Sequence, residues 1–347
     1  MTLTIPISIG LVLASIFLLW FGADWLVKGS SKLALSLNIQ PIIIGLTVVA
    51  FGTSAPELVV SVFAAVGGNP EMALGNVVGS NMANIALVLG LCAVITPIEI
   101  QKDTLKSDIP FLVLVSFLTY VLARFGSAGP GLENGLSRID GVIMLAFLLY
   151  FLLRLFFKSK EGSGEVDPEL QEIMMEKKTS NWKNVLLVVV GIAFLVGGAK
   201  ALVTGGEFIA SSMGISPFFI SLTMVALGTS IPELAASGMA AYKGETDLCL
   251  GNIIGSNIMN LLIVLAVTMC ILPIPVNPAL LRFELPGIVF IAIILYFMCR
   301  FGDLKLTRFK GIILLVIYVG YIYFSFVASP KKQPGGNQSA SVVTQAP

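Results

Sequence analysis

The sequence predicts an all-α integral membrane protein with ten transmembrane helices arranged as two inverted five-helix repeats. Its composition, the recurrence of its apolar stretches and an internal duplication lead there together. Of its 347 residues, 56% are hydrophobic and only 12% are charged, with a mean hydropathy of +0.94, far from the balance of a soluble domain. Water is not the main solvent of such a chain.

Apolar stretches of the roughly 20 residues needed to cross a hydrocarbon core recur along the chain, separated by short polar joints. The predicted spans are 6 to 27, 40 to 66, 71 to 97, 108 to 124, 139 to 157, 184 to 206, 216 to 241, 247 to 273, 283 to 299 and 310 to 328. The first has no basic residue ahead of it, and Asp24 and Trp25 stand where the small residues of a leader cleavage site belong, so it reads as a retained helix.

A formal net charge of +1 points to neither nucleic acid nor an acidic partner, and the basic residues are better read for orientation. If the joint at 158 to 183 is cytoplasmic, the joints on its side hold every Lys and Arg except Arg124, Arg138, Lys200, Arg282, Lys331 and Lys332. The positive-inside rule then places both termini outside. Cys92, Cys249, Cys270 and Cys299 lie in or beside apolar spans and read as small packing residues, with the spacing of neither a metal cluster nor a disulfide framework.

Sliding the chain by 176 residues lays LTVVAFGTSAPEL (Leu46 to Leu58) on LTMVALGTSIPEL (Leu222 to Leu234), and LGNVVGSNMAN (Leu74 to Asn84) on LGNIIGSNIMN (Leu250 to Asn260). The register holds without a gap from Gly22 and Gly198 to Pro97 and Pro273. Each copy carries five spans, an odd number, so the second enters the membrane from the opposite side, an architecture that recurs in secondary transporters. The predicted division is a first repeat at 1–157, a charged linker at 158–183, a second repeat at 184–328 and a polar, disordered tail at 329–347. Within the linker, Asp167 and Pro168 could open a short helix.

The duplicated motifs carry the chemistry. Thr53 and Glu57 are four residues apart and share a helix face, with Ser54 beside them; Thr229, Ser230 and Glu233 repeat the pattern. Pro56 and Pro232 lack an N–H, which frees the carbonyls of Gly52 and Gly228 and loosens the helix there. Such irregular backbone at membrane depth is tolerated where it lines a cavity or is buried in protein. The next span adds Asn76, Ser80 and Asn84 on one face, and its counterpart adds Asn252, Ser256 and Asn260. Taken alone, Asn76, Ser80, Asn252 and Ser256 fit helix-packing glue as well as they fit ligands, and Asn81 and Asn257, one step off that face, fit packing or capping.

These candidates are all hard oxygens, and the chain contains no histidine. Such a set suits Ca2+, which takes about six to eight oxygens, better than Zn2+ or Cu+. An ionised carboxylate at mid-bilayer costs at least ~2.5 kcal/mol, and two close together repel. One Ca2+, two Na+ or two protons would neutralise the pair, so a site that must be filled to cross exchanges one cargo for another. An enzyme is disfavoured because Ser54 and Ser230 have no histidine to activate them. The glycine motifs lack the lysine and strand of a phosphate loop, and a cation channel has no use for neutralise-to-cross logic.

The paired GTSAPE and GTSIPE, each followed by GN and GSN segments, resemble the two alpha-repeats of the sodium/calcium exchangers of the cation/calcium antiporter superfamily, especially its small prokaryotic members. The resemblance covers 45–89 and 221–265 most specifically and extends over the chain up to the tail. It implies a multi-pass protein of the plasma (cell inner) membrane that exchanges Ca2+ for Na+, with spans 2, 3, 7 and 8 as a cation-binding core across which spans 1 and 6 slide. Its ligands would fall on Thr53, Ser54, Glu57, Ser80 and Asn84, on Thr229, Ser230, Glu233, Ser256 and Asn260, and on the carbonyls of Ala50 and Ala226. Many relatives carry an aspartate where Asn84 or Asn260 stands here, which leaves Na+ stoichiometry, K+ co-transport and Na+ versus H+ coupling open; a Ca2+/H+ antiporter is the alternative. The implied partners are the lipid bilayer and the transported Ca2+ and Na+, with protons competing for the carboxylates. Neither a cofactor nor an obligatory protein partner is expected.

Overall fold

The computed structural model describes residues 4–129, 132–161, 181–213, 228–278, 280–301 and 304–328. Helix α1 (Ile5–Leu37) is 33 residues long and stops where Asn38 turns left-handed (φ 54°), its N–H capping Ala34 and Leu35. It outruns the expected 6 to 27 because nothing before Asn38 breaks it, and Ser30, Leu33 and Ala34 of the extension are buried. The span expected at 216 to 241 enters the described residues at 228, and the linker at 162–180 and the tail from 329 lie outside them.

Span 2 is split. Helix α2 (Pro41–Thr53) and helix α3 (Ala55–Val66) meet at a 43° bend centred on Ser54 (φ −82°, ψ 2°), where Pro56 removes a helical donor as expected. Helix α4 (Pro70–Ile95) follows unbroken, with a π-helical stretch at Ala83–Val88. Next come α5 (Thr104–Phe125), α6 (Arg138–Glu161) and α7 (Asn181–Ser212), the last longer than the predicted 184 to 206. Helices α8 (Ile231–Tyr242), α9 (Thr246–Ile271), α10 (Leu280–Arg300) and α11 (Arg308–Ala328) complete the bundle.

The 176-residue offset is written into the backbone as well as the sequence. Ser230, at the head of α8, repeats the Ser54 conformation (φ −86°, ψ 3°). The π-helical segments Thr104–Asp108 and Leu280–Glu284 are in register, each followed by a proline, Pro110 or Pro286. The register therefore continues beyond Pro97 and Pro273, where Leu105, Lys106, Asp108, Ile109 and Pro110 fall on Leu281, Arg282, Glu284, Leu285 and Pro286.

Short contacts sort the joints into two ends. At one, strand β1 (Ile98–Glu99) pairs with the 305–306 strand, Gln101 Nε2 donates to Asp247 (2.6 Å), and Lys243 Nζ bonds Asp24 of α1 (2.6 Å). At the other, the 135–136 and 274–275 strands pair, Asn277 donates to Glu71 (3.0 Å), and Arg138 donates to the Ile271 carbonyl (3.2 Å). No joint predicted on one side of the membrane touches a joint predicted on the other in these contacts. Near the first end, the fully buried Asp108 binds Arg154 at 2.5 Å, with Lys158 at 3.6 Å, and Arg154 also lies over the rings of Phe111 and Phe151. Asp108→Ala would leave Arg154 unpaired and is expected to cost about 3 kcal/mol. A thermal melt of purified protein equal to wild type would refute this.

Helices α4 and α9 lie at the centre and are the most deeply buried of the long apolar helices among the described residues. Large apolar side chains such as Trp20, Phe63, Phe117, Phe290 and Val316 face outward, while Glu57, Glu233, Ser80, Ser256, Asn84 and Asn260 are fully buried. Polar inside and apolar outside is the arrangement a hydrocarbon solvent selects. Among the described residues, eight helices are long and apolar enough to cross a membrane, or nine if α2 and α3 form one span. Helices α1 and α7 run antiparallel in backbone contact: Gly22 lies against Gly191, and Gly205 against Ser8, where a Cβ would come within 2.9 Å and 2.7 Å of the facing carbonyl oxygens.

Candidate cation site

Glu57 and Glu233 each sit in the first turn of a helix, α3 and α8, and both are fully buried. That position turns the positive end of each helix dipole toward a carboxylate. The two halves interlock around the pair. Ser54 Oγ of the first repeat, at the break that heads the Glu57 helix, donates to Glu233 Oε1 of the second (3.3 Å). Both oxygens of Glu57, and Oε2 of Glu233, have no hydrogen-bond partner among the described residues.

A second set of contacts is reciprocal. Thr53 Oγ1 lies 3.2 Å from Asn252 Oδ1 and 3.3 Å from Ser256 Oγ, and Thr229 Oγ1 lies 3.5 Å from both Asn76 Oδ1 and Ser80 Oγ. Asn76 and Asn252 turn their amide nitrogens to Ser61 (3.0 Å) and Ser237 (2.8 Å). They act as braces that hold the threonines in place. Ser61 and Ser237 escaped the sequence reading although each stands four residues after a glutamate, on the same helix face, and that spacing was the available signal.

The remaining candidates fall in the same buried zone. Ser80 Oγ donates to the Asn76 carbonyl (2.8 Å), which leaves its lone pairs outward. Ser230 Oγ, both amide ends of Asn84 and Oδ1 of Asn260 lack a hydrogen-bond partner among the described residues. The Ala50 carbonyl accepts from Ser54 N (3.0 Å) and, weakly, from Thr53 Oγ1 (3.4 Å), so it is less free than expected. Ala226 lies outside the described residues. Buried polar atoms are nearly always satisfied, so this concentration of orphaned oxygens marks a place prepared for something else. The ion pairs found among the described residues involve Asp24, Asp108 and Glu99, and neither glutamate takes part. Two carboxylates with neutral hydroxyl and amide oxygens are a donor set that could hold a hard cation.

A bundle of membrane-spanning helices enclosing an oxygen-lined acidic centre defines a membrane ion transporter. The family pattern described as "Sodium/calcium exchanger protein" matches residues 7–157 and 183–327, and the chain belongs to that family. It is 30% identical over 349 residues to the sodium/calcium exchanger MaX1 of Methanosarcina acetivorans, covering 93% of this chain and 99% of the relative. It is 26% identical over 301 residues to the Ca(2+)/H(+) antiporter ChaA of Bacillus subtilis, covering 84% and 85%. Its fold is similar to a solved structure of the sodium-calcium exchanger NCX_Mj, with a TM-score of 0.79 and 32% identity over 94% of this chain and 100% of that one. The chain is thus a multi-pass cation/Ca2+ antiporter of the small, prokaryotic kind.

Proposed function

We propose that the chain exchanges Ca2+ for Na+ by alternating access at a site built on Glu57 and Glu233, completed by Thr53, Ser54, Ser80, Asn84, Thr229, Ser230, Ser256, Asn260 and the carbonyls of Ala50 and Ala226. The observation that carries this reading is the pair of fully buried carboxylates, without a basic partner among the described residues, each in the first turn of a helix. One Ca2+ would neutralise both, and Na+ ions would take its place on the return. In this reading the chain has ten spans in two inverted repeats, 1–157 and 184–328. The antiparallel run of α1 against α7 is the relation that five crossings per repeat require, and their glycine-smoothed contact suits a bundle that slides across the core as one body.

The joint at 158–183 would face the cytoplasm, with both termini outside, in the cell's inner membrane. The end of the bundle that carries Lys28, Lys243, Lys305 and Arg154 would be the inner one. Proton coupling is the second reading, favoured by the ChaA relative and by two carboxylates that could each take a proton in place of Na+. Proteoliposomes loaded with Na+ and stripped of any pH gradient are expected to take up Ca2+ as Na+ leaves. Uptake that fails there and returns with an imposed pH gradient would assign the coupling to protons.

A further inference from the structure

Asn260 presents a chemical problem that a carboxylate would not. An amide has an oxygen at one end and two N–H donors at the other, and only the oxygen serves a cation. Something must decide which end meets the ion. The Asn257 backbone carbonyl, which can only accept, receives a hydrogen bond from Asn81 Nδ2 at 3.2 Å. That commits Asn81 Oδ1 to the role of acceptor, and it receives Asn260 Nδ2 at 3.1 Å. Asn260 Oδ1 is left fully buried with no partner among the described residues, in the π-helical segment that packs against α3, the helix of Glu57.

We propose that Asn81 is a positioning residue that fixes the Asn260 amide with its oxygen toward the transported cation. The polarity of the relay is set at its far end by a backbone group that cannot reverse. Asn81 belongs to the first repeat, Asn257 and Asn260 to the second, so the relay also ties α4 to α9 across the site. Its counterpart under the duplication, Asn257 acting on Asn84, is not made. Asn257 Nδ2 turns instead to the Ile253 carbonyl at 2.7 Å, leaving Asn257 Oδ1 and both ends of Asn84 unpartnered among the described residues. The site therefore holds one amide oxygen that is preset and one amide that must be oriented by the ion itself, so Asn260 binds cation more strongly than Asn84.

This rests on the reading of Asn260 as a cation ligand, and the test separates the two. Ca2+ dissociation constants are measured by titration calorimetry on the purified full-length protein in Na+-free buffer. Asn81→Leu keeps the shape of the side chain and removes its hydrogen bonds; it is expected to weaken Ca2+ binding about tenfold. In the Asn260→Asp background, where either end of the side chain is an oxygen, the same change is expected to cost less than about twofold. Asn81→Ala, which adds no bulk, is read in parallel in case the leucine disturbs the fold. An equal loss in both backgrounds would make Asn81 merely structural, and no loss in either would remove it from the site. Asn260→Ala with wild-type affinity would instead overturn the ligand reading itself, and a wild-type protein that binds no Ca2+ would overturn the antiport reading.

Discussion

Glu57→Gln and Glu233→Gln are each expected to lower Na+-driven Ca2+ uptake into proteoliposomes by at least about thirtyfold, since truncating one charge of a desolvated pair costs on the order of 2 to 5 kcal/mol. Glutamine preserves shape and removes charge, so Ca2+ meets a site one charge short. The folded state should survive, because an uncharged side chain relieves the repulsion between two fully buried carboxylates; monodisperse elution from a sizing column is the control. Glu57, whose oxygens have no hydrogen-bond partner among the described residues, depends most completely on a cation, whereas Glu233 keeps the Ser54 hydroxyl. Exchange retained by either variant would remove that glutamate from the mechanism.

The centre of this site was legible because its signals are local. A proline that cannot donate, a glycine before it and a carboxylate after it specify a broken helix with an acidic head, and their repetition 176 residues later specifies a partner. The lengths of α1 and α7 were not legible. Hydropathy falls at Lys28 while helix formation continues to Leu37, since membrane crossing and helicity are different requirements. Also hidden were contacts that exist only after folding: Asp108 finds Arg154 46 residues away, and Asn81 reaches into the other repeat at Asn257 and Asn260. From its position beside the ligand face Asn81 could be read only as packing or capping. A side chain's partner across a bundle is set by the crossing of two helices, which one sequence without the other's coordinates does not contain.

Gly251→Val is expected to abolish exchange and lower the melting temperature, although the residue touches no ion. Helix α9 crosses α2 so closely at this point that a Cβ on Gly251 would lie 2.5 Å from the Ile42 carbonyl oxygen and 3.1 Å from both Gly45 Cα and Leu46 N. All three atoms are backbone, so no side chain can swing aside; the helices themselves must part, at an overpacking cost of about 1 to 3 kcal/mol. Their separation also undoes the chemistry. Thr53, at the end of α2, reaches Asn252 and Ser256 of α9 at 3.2 and 3.3 Å, and a displacement of about 1 Å takes both contacts beyond hydrogen-bonding range. Gly251→Ala should fall between wild type and valine, and Gly320→Val, at an exposed position where a Cβ meets nothing within 4 Å, should exchange normally. A Gly251→Val protein with wild-type melting and flux would mean that the close crossing of α2 and α9 is not what holds the site together.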